Sequence, residues 1–223
     1  VIEGMQTLLT DIPFCGCSSA GSINQYQADN ASHSVNLMGI YSDLIQFTPF
    51  LFNQLEKHPY QVGQQIADTV NAIEIKPDEN QLLILLPDGL TINANQLNNG
   101  INDRIKKHID IIGGSAGNDY QSEVCYQFCN QEIQNDAVAG VVLHGRFQHQ
   151  CMVTHGSKPI GLFKTITKAE GPFIYEIDGK PALDLVMSLV GKERFQDLAQ
   201  SLGLLELGEK LSEDPLSDAI INR

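Results

Sequence analysis

The stretch Ile109–Tyr120, IDIIGGSAGNDY, sets a short apolar strand against a run of glycines and small residues. Inside it, Gly113-Gly114-Ser115-Ala116-Gly117 spells G-x-S-x-G, the pattern that carries the nucleophilic serine of α/β-hydrolases at a strand-to-helix elbow. The same letters fit a glycine-rich turn after a buried strand, where glycine allows positive φ and close backbone approach. The first reading requires a sheet whose strands alternate with helices. The second leaves the fold free to be β-rich, with a turn that can cradle a ligand.

An earlier stretch favours the second reading. In IPFCGCSSAG, residues 12–21, an apolar strand again runs into glycine, a small residue and serine (Gly16, Cys17, Ser18), but G-x-S-x-G is lost. Each copy is followed, after a polar stretch, by a β-rich apolar segment: SVNLMGIY at 34–41 and AVAGVVLHG at 137–145. This weak repeat predicts a mixed α/β fold with two related β-rich halves and sheets flanked by helices. A hydrolase would also need Asp and then His downstream of the serine. Asp119 or Asp136, with His144, His149 or His155, are the nominees, but few helical segments intervene and no HGGG-type segment precedes Ser115.

Outward from these turns, residues 60–73, YQVGQQIADTVNAI, have apolar residues at helical spacing. QLLILLPDGL, 81–90, is a continuous apolar run stopped by Pro87-Asp88-Gly89, as a central strand would be. NANQLNNGINDRIKKH, 93–108, predicts a helix with an Asn N-cap and with Lys106, Lys107 and His108 in its last turn, where cations suit the dipole. QHQCMVTHG, 148–156, and IGLFKTITKAEG, 160–171, read as strands. PFIYEIDGKPALDLV carries Asp178-Gly179 as a hairpin turn, with a helix from Pro181 to about Val190 and another over KERFQDLAQSLGLLE, 192–206.

The composition narrows the partners. The 223 residues carry a formal net charge of -13 and are 42% hydrophobic and 18% charged, which is ordinary globular composition. Such an acidic surface repels phosphate backbones, so nucleic acid and anionic membranes are not expected partners. No apolar run reaches the roughly 20 residues of a membrane span. Cys15, Cys17, Cys125, Cys129 and Cys151 are odd in number and form no C-x-x-C pair, which reads as reduced thiols in a cytoplasmic protein.

Two groups of residues carry candidate chemistry besides the glycine turns. His144, His149 and His155 fall within one short segment; were 147–154 one strand, His149, Cys151 and Val153 would share a face. Imidazole is the usual axial ligand of haem iron, and these three, in the order His149, His144, His155, are the candidates; they read equally as ordinary strand histidines. No C-x-x-C-H is present, so that route to covalent haem is closed. His155-Gly156-Ser157-Lys158-Pro159 is a rigid loop that could present imidazole, hydroxyl and ammonium to a small anionic or zwitterionic ligand, or simply connect two strands.

THGSKPIG followed by TITKAEGPFIYEIDGKPALD resembles the hallmark of the FIST domain: HG-x-x-P-[IV]-G, a T-x-A-x-G segment, and an E-[LI]-D-G-x-P-A hairpin. LLILLPDGL, IIGGSAGND and AGVVLHG are similar to its N-terminal part in the same order, and FCGCSSAG resembles an earlier element. Ser157 and Lys158 stand where the family usually has Cys or another residue. The resemblance implies a FIST N-terminal domain over 1–156 lacking its start, and the beginning of a FIST C-terminal domain over 157–223. It implies a bacterial, cytoplasmic sensory module that is not an enzyme. Such a module binds a small ligand, amino acid-like or, in the NosP branch, haem sensing nitric oxide. It signals to a histidine kinase, a chemotaxis transducer or a cyclic-di-GMP enzyme. Gly16, Ser18, Gly113, Gly114, Ser115, His155, Gly156 and Lys158 become the expected ligand site. A serine hydrolase acting through Ser115 and a scaffold without ligand are the competing classes.

Overall fold

The computed structural model describes residues 12–23, 26, 28–29, 34–118, 124–151, 162–170, 173–190, 208–210 and 220–222, with residues 4 and 7. The chain divides into two compact units, Val1–Met152 and Val153–Arg223. The first unit runs β1 (Cys15–Cys17), β2 (Ser22–Ile23), β3 (Ala28–Asp29), β4 (Ile45–Asn53), α1 (Pro59–Asn71), β5 (Asn80–Pro87), α2 (Ala94–Arg104), β6 (Asp110–Gly113), β7 (Gln127–Cys129), β8 (Glu132–Gln134) and β9 (Ala137–Gly145).

Its main sheet has the order β4-β9-β5-β6. β9 is antiparallel to both neighbours, and β5 and β6 are parallel, with Leu82 opposite Asp110 and Leu85 opposite Gly113. The sequence places these strands by chemistry. AVAGVVLHG has no polar side chain before His144, so β9 tolerates burial on both faces and sits inside the sheet. β4 contains Pro49, which has no N–H for a second ladder, and lies at an edge. Its neighbour in sequence, α1, starts with Pro59, whose missing N–H costs nothing at a helix start.

Val138 and Val142 of β9, with Leu83 and Leu85 of β5, pack against Val62, Ile66 and Val70 of α1 and Leu97 and Ile101 of α2. Each such side chain contributes about 1.5–3 kcal/mol on burial. Period-2 alternation turns Ala137, Ala139 and Leu143 to the opposite face. These are buried too, and the small sheet β1-β7-β8 adjoins β9. The two helices touch backbone to backbone. A Cβ on Gly63 would lie 2.2 Å from the Leu97 carbonyl oxygen, and one on Gly100 would lie 2.1 Å from that of Tyr60. Arg104 pairs with Asp68 at 2.6 Å, and the Tyr60 hydroxyl donates to Asp103 at 3.0 Å.

The second unit holds the antiparallel sheet β10 (Ile166–Glu170), β11 (Phe173–Ile177) and β12 (Lys180–Pro181), then α3 (Ala182–Val190), β13 (Gly208–Lys210) and β14 (Ile220–Asn222). Asp178 and Gly179 turn the β11–β12 hairpin at φ 50° and 71°, the primed geometry that Asp-Gly predicts. The helix expected over 192–206 lies outside the described residues.

The fold is mixed α/β, with helices against the main sheet. Three expectations need correction. SVNLMGIY is not a strand: residues 34–41 form no ladder, and Leu37, Met38 and Tyr41 are 69%, 76% and 90% exposed. An apolar run makes a strand only where a partner edge receives it. The helix begun by Asn93, whose Oδ1 accepts from the Gln96 amide at 3.1 Å, ends at Arg104, before Lys106, Lys107 and His108. Asn71 closes it off, donating to the Arg104 carbonyl and accepting from the Lys106 amide, both at 3.0 Å. Finally, Phe147–Cys151 is not strand, because pairing of β9 stops at Gly145.

Candidate functional site

The glycine turns meet. Ser18, just after β1, accepts at its carbonyl from the Gly117 amide at 3.1 Å and donates its hydroxyl to the Gly117 carbonyl at 2.9 Å. The same hydroxyl accepts from the Tyr126 amide at 3.0 Å, while the Ser18 amide donates to the Tyr126 carbonyl at 2.8 Å. The two copies of the strand–glycine–serine pattern therefore serve different sheets: β1 belongs to the small sheet and β6 to the edge of the main one. They are clasped where β5 and β6 present their carboxyl ends.

Each glycine has its own reason. Gly113 sits at φ 148°, and a Cβ there would lie 1.8 Å from the Leu85 carbonyl oxygen, so no side chain fits. A Cβ on Gly16 would fall 2.4 Å from the Phe128 ring. Gly114 is exposed with nothing near its missing Cβ. The turn's amides mostly point inward: Gly114 donates to the Leu85 carbonyl, Ala116 to that of Pro87 and Gly117 to that of Ser18, at 3.2, 2.7 and 3.1 Å. The open feature is Ser115, exposed and without a hydrogen bond among the described residues.

Buried groups hold this end together. Asp88, 2% exposed, accepts from the Leu90 amide at 2.9 Å and from the Asp136 amide at 3.1 Å. The Cys125 thiol donates to the Ala116 carbonyl at 3.6 Å. The two cysteine motifs also come together: Cys15 faces Cys129 across β1 and β7. Burial, then the neighbouring Cys129 and Cys17, pushes the Cys15 thiol up to about 11. Burial likewise raises Cys17, Cys125 and Cys129. Gln127 is fully buried between them in sequence, with neither amide atom partnered.

The histidines lie at the other end. His144 is level with Gln81 at the start of β5 and 3.5 Å from Thr48 Oγ1. Six residues of β5 separate that level from Pro87, about 20 Å along a strand. His149 Nε2 pairs with Asp110 Oδ2 at 2.8 Å, at the first residue of β6. Ser115 thus has neither His144 nor His149 as a base. His155, Gly156 and Lys158 lie outside the described residues. Of the expected ligand set, Gly16, Ser18, Gly113, Gly114 and Ser115 lie about the clasped turns, while His144 and His149 lie at the other end; Asp119, like His155, lies outside the described residues.

Sequence reasoning passed over Asp88 as a turn residue. Its signal was a carboxylate directly after six apolar residues, Leu82–Pro87, where buried backbone amides can satisfy it.

The FIST N domain family model matches residues 1–180. The chain belongs to this family. FIST N is a family of sensory domains, so the clasped turns are read within a sensor. Uncharacterized protein MJ1623 of Methanocaldococcus jannaschii is 23% identical over 200 residues, covering 86% of this chain and 38% of that protein. The FIST N chain thus spans well under half the length of that curated relative. No solved structure matches it. No helix among the described residues is long and apolar enough to cross a membrane.

Proposed function

We propose that this chain is the ligand-binding part of a signalling sensor, and that it takes a small anionic or zwitterionic molecule, an amino acid first among them, beside Ser115. The observation that carries the reading is the clasp between Ser18 and Gly117, which joins two sheets through backbone and hydroxyl contacts next to an exposed serine. Ligands of open α/β sheets lie outside the carboxyl ends of the strands, which is where Ser115 stands. Its free N–H and hydroxyl suit a carboxylate oxygen. His155 and Lys158, which the resemblance added to the ligand site, lie outside the described residues.

A ligand signals only by binding two conformations unequally. The clasp supplies the element to bias: one state keeps Ser18 on Gly117, and the other separates the turns. The downstream partner in this proposal is a histidine kinase, a chemotaxis transducer or a cyclic-di-GMP enzyme. Calorimetric titration with the twenty amino acids tests the reading. Saturable binding of one of them, weakened at least tenfold in Ser115→Ala at unchanged melting temperature, supports it. Binding unaffected by that substitution, or no binding, contradicts it.

Haem is the other group the family brings to mind, and the described residues do not fit it. His144 borders an open cleft of about 310 Å³ whose walls include Asp43, Glu74, Lys76, Glu79 and Arg146, charges rather than the apolar slot a macrocycle needs. His149 has the Asp110 carboxylate and the Cys151 thiol beside it, again polar groups rather than an apolar slot. Addition of hemin is expected to give no Soret band that depends on His144 or His149. A band lost in His149→Ala would overturn this.

A further inference from the structure

We propose that Asp110, His149 and Cys151 form a site for a thiophilic divalent transition metal of the zinc class. A carboxylate oxygen of Asp110, a ring nitrogen of His149 and the Cys151 thiol all lie within 4.8 Å of one another. Ligand bonds of about 2.0–2.3 Å set the edges of a tetrahedral zinc site near 3.3–3.8 Å. The three groups are therefore within about 1 Å of coordination distance, and two of them sit on a non-strand segment, Phe147–Cys151, that can close that gap.

The donor set is selective. Imidazole, thiolate and carboxylate together suit Zn²⁺, whereas all-oxygen sites suit Mg²⁺ or Ca²⁺. A bound Zn²⁺ would be neutralised by the two anionic ligands. His108 stands beside the group without being part of it, its Nε2 3.5 Å from Asp110 Oδ1.

The fold brings these groups together and orients them. Ile109 is buried and fixes the start of β6, which sets Asp110. Asn80 donates to the Phe147 carbonyl at 2.6 Å, tying down the segment after β9. The Phe147 ring then lies 5.5 Å from the His149 ring. Nε2 of the imidazole meets Asp110, while Nδ1 is buried with no partner among the described residues. The Nε2–Asp110 contact is thus one edge of the donor group: from 2.8 Å it would open by about half an ångström to the edge of a tetrahedral site when a metal replaces the shared proton.

This site lies at the histidine end of the sheet, apart from the Ser18–Gly117 clasp, and does not depend on the sensing proposal. The test is titration of the purified full chain with Co²⁺ under a non-thiol reductant. One equivalent is expected to bind, with a near-ultraviolet thiolate-to-cobalt band that Zn²⁺ abolishes stoichiometrically. Cys151→Ser, at an exposed position, should remove the band and leave the melting temperature unchanged. Asp110→Asn and His149→Gln should each weaken binding at least about tenfold. Zn²⁺ should also slow alkylation of Cys151 in the unaltered protein. Absence of the band, or a band that survives Cys151→Ser, would overturn the assignment; the latter would place the metal on the other cysteines.

Discussion

Ser18 and Gly117 bond to each other twice, amide to carbonyl at 3.1 Å and hydroxyl to carbonyl at 2.9 Å, across 99 positions of sequence. The Ser18 hydroxyl also accepts from Tyr126, so one side chain ties together β1, the turn after β6 and the approach to β7. Ser18→Ala removes two hydrogen bonds and leaves the half-buried Gly117 carbonyl without its hydroxyl donor, at about 1–3 kcal/mol. Urea denaturation of the variant measures this. An unchanged midpoint would mean that the clasp carries no stability.

Gly63 and Gly100 set the spacing of α1 and α2. In an exposed helix, Gly→Ala stabilises by up to about 1 kcal/mol. Here the added methyl meets a carbonyl oxygen at 2.2 or 2.1 Å. Gly63→Ala and Gly100→Ala are each expected to destabilise, by about 1–3 kcal/mol net, because the helices must part. Thermal melts of both variants test this. A rise in melting temperature in either would show that the helices are not held at this distance.

Cysteine reactivity should be sharply uneven. With its pKa near 11, Cys15 carries about 100-fold less thiolate at pH 8 than a thiol at 9.0. Iodoacetamide followed by peptide mass spectrometry should therefore label exposed Cys151 first and Cys15 far more slowly. Comparable rates at the two would show that the β1–β7 pair opens readily.

Three carboxylates shape the acid limb. Asp68 is lowered by its hydrogen bond from Arg104, Asp110 by that with His149, and Asp178 by the Thr165 amide and then Lys164. A folded pKa below the unfolded value gives stability that is fully present above the unfolded pKa. It is lost as pH falls through the folded one. Stability should thus drop below the ordinary value of 3.8, and Asp68→Asn should make that limb shallower. Urea midpoints measured down this range check the sign, and a steeper limb in the variant would contradict it.

Much of this was legible in residue patterns, where local chemistry agreed with the fold. The apolar run ended by Pro87 became β5, the alternation-free AVAGVVLHG became the buried β9, and Asp178-Gly179 made its hairpin. β4 escaped notice because Pro49 interrupts its pattern, although proline is compatible with an edge strand. SVNLMGIY misled because periodicity cannot supply a partner edge. At the site, glycine spacing marked the two turns, but not that they would bond to each other. That depends on the β1–β7 pairing and on the parallel pair β5–β6, both non-local. His149 and Cys151 do converge on one place, though through the loop that follows β9 rather than through a shared strand face.

The most direct test of the account is an amide nuclear magnetic resonance titration of the labelled chain with the amino acid that binds most tightly. Saturable shifts centred on Ser18 and Gly114–Gly117, lost in Ser115→Ala, are expected. Saturable shifts confined to the His144 and His149 end, with the clasp silent, would contradict it.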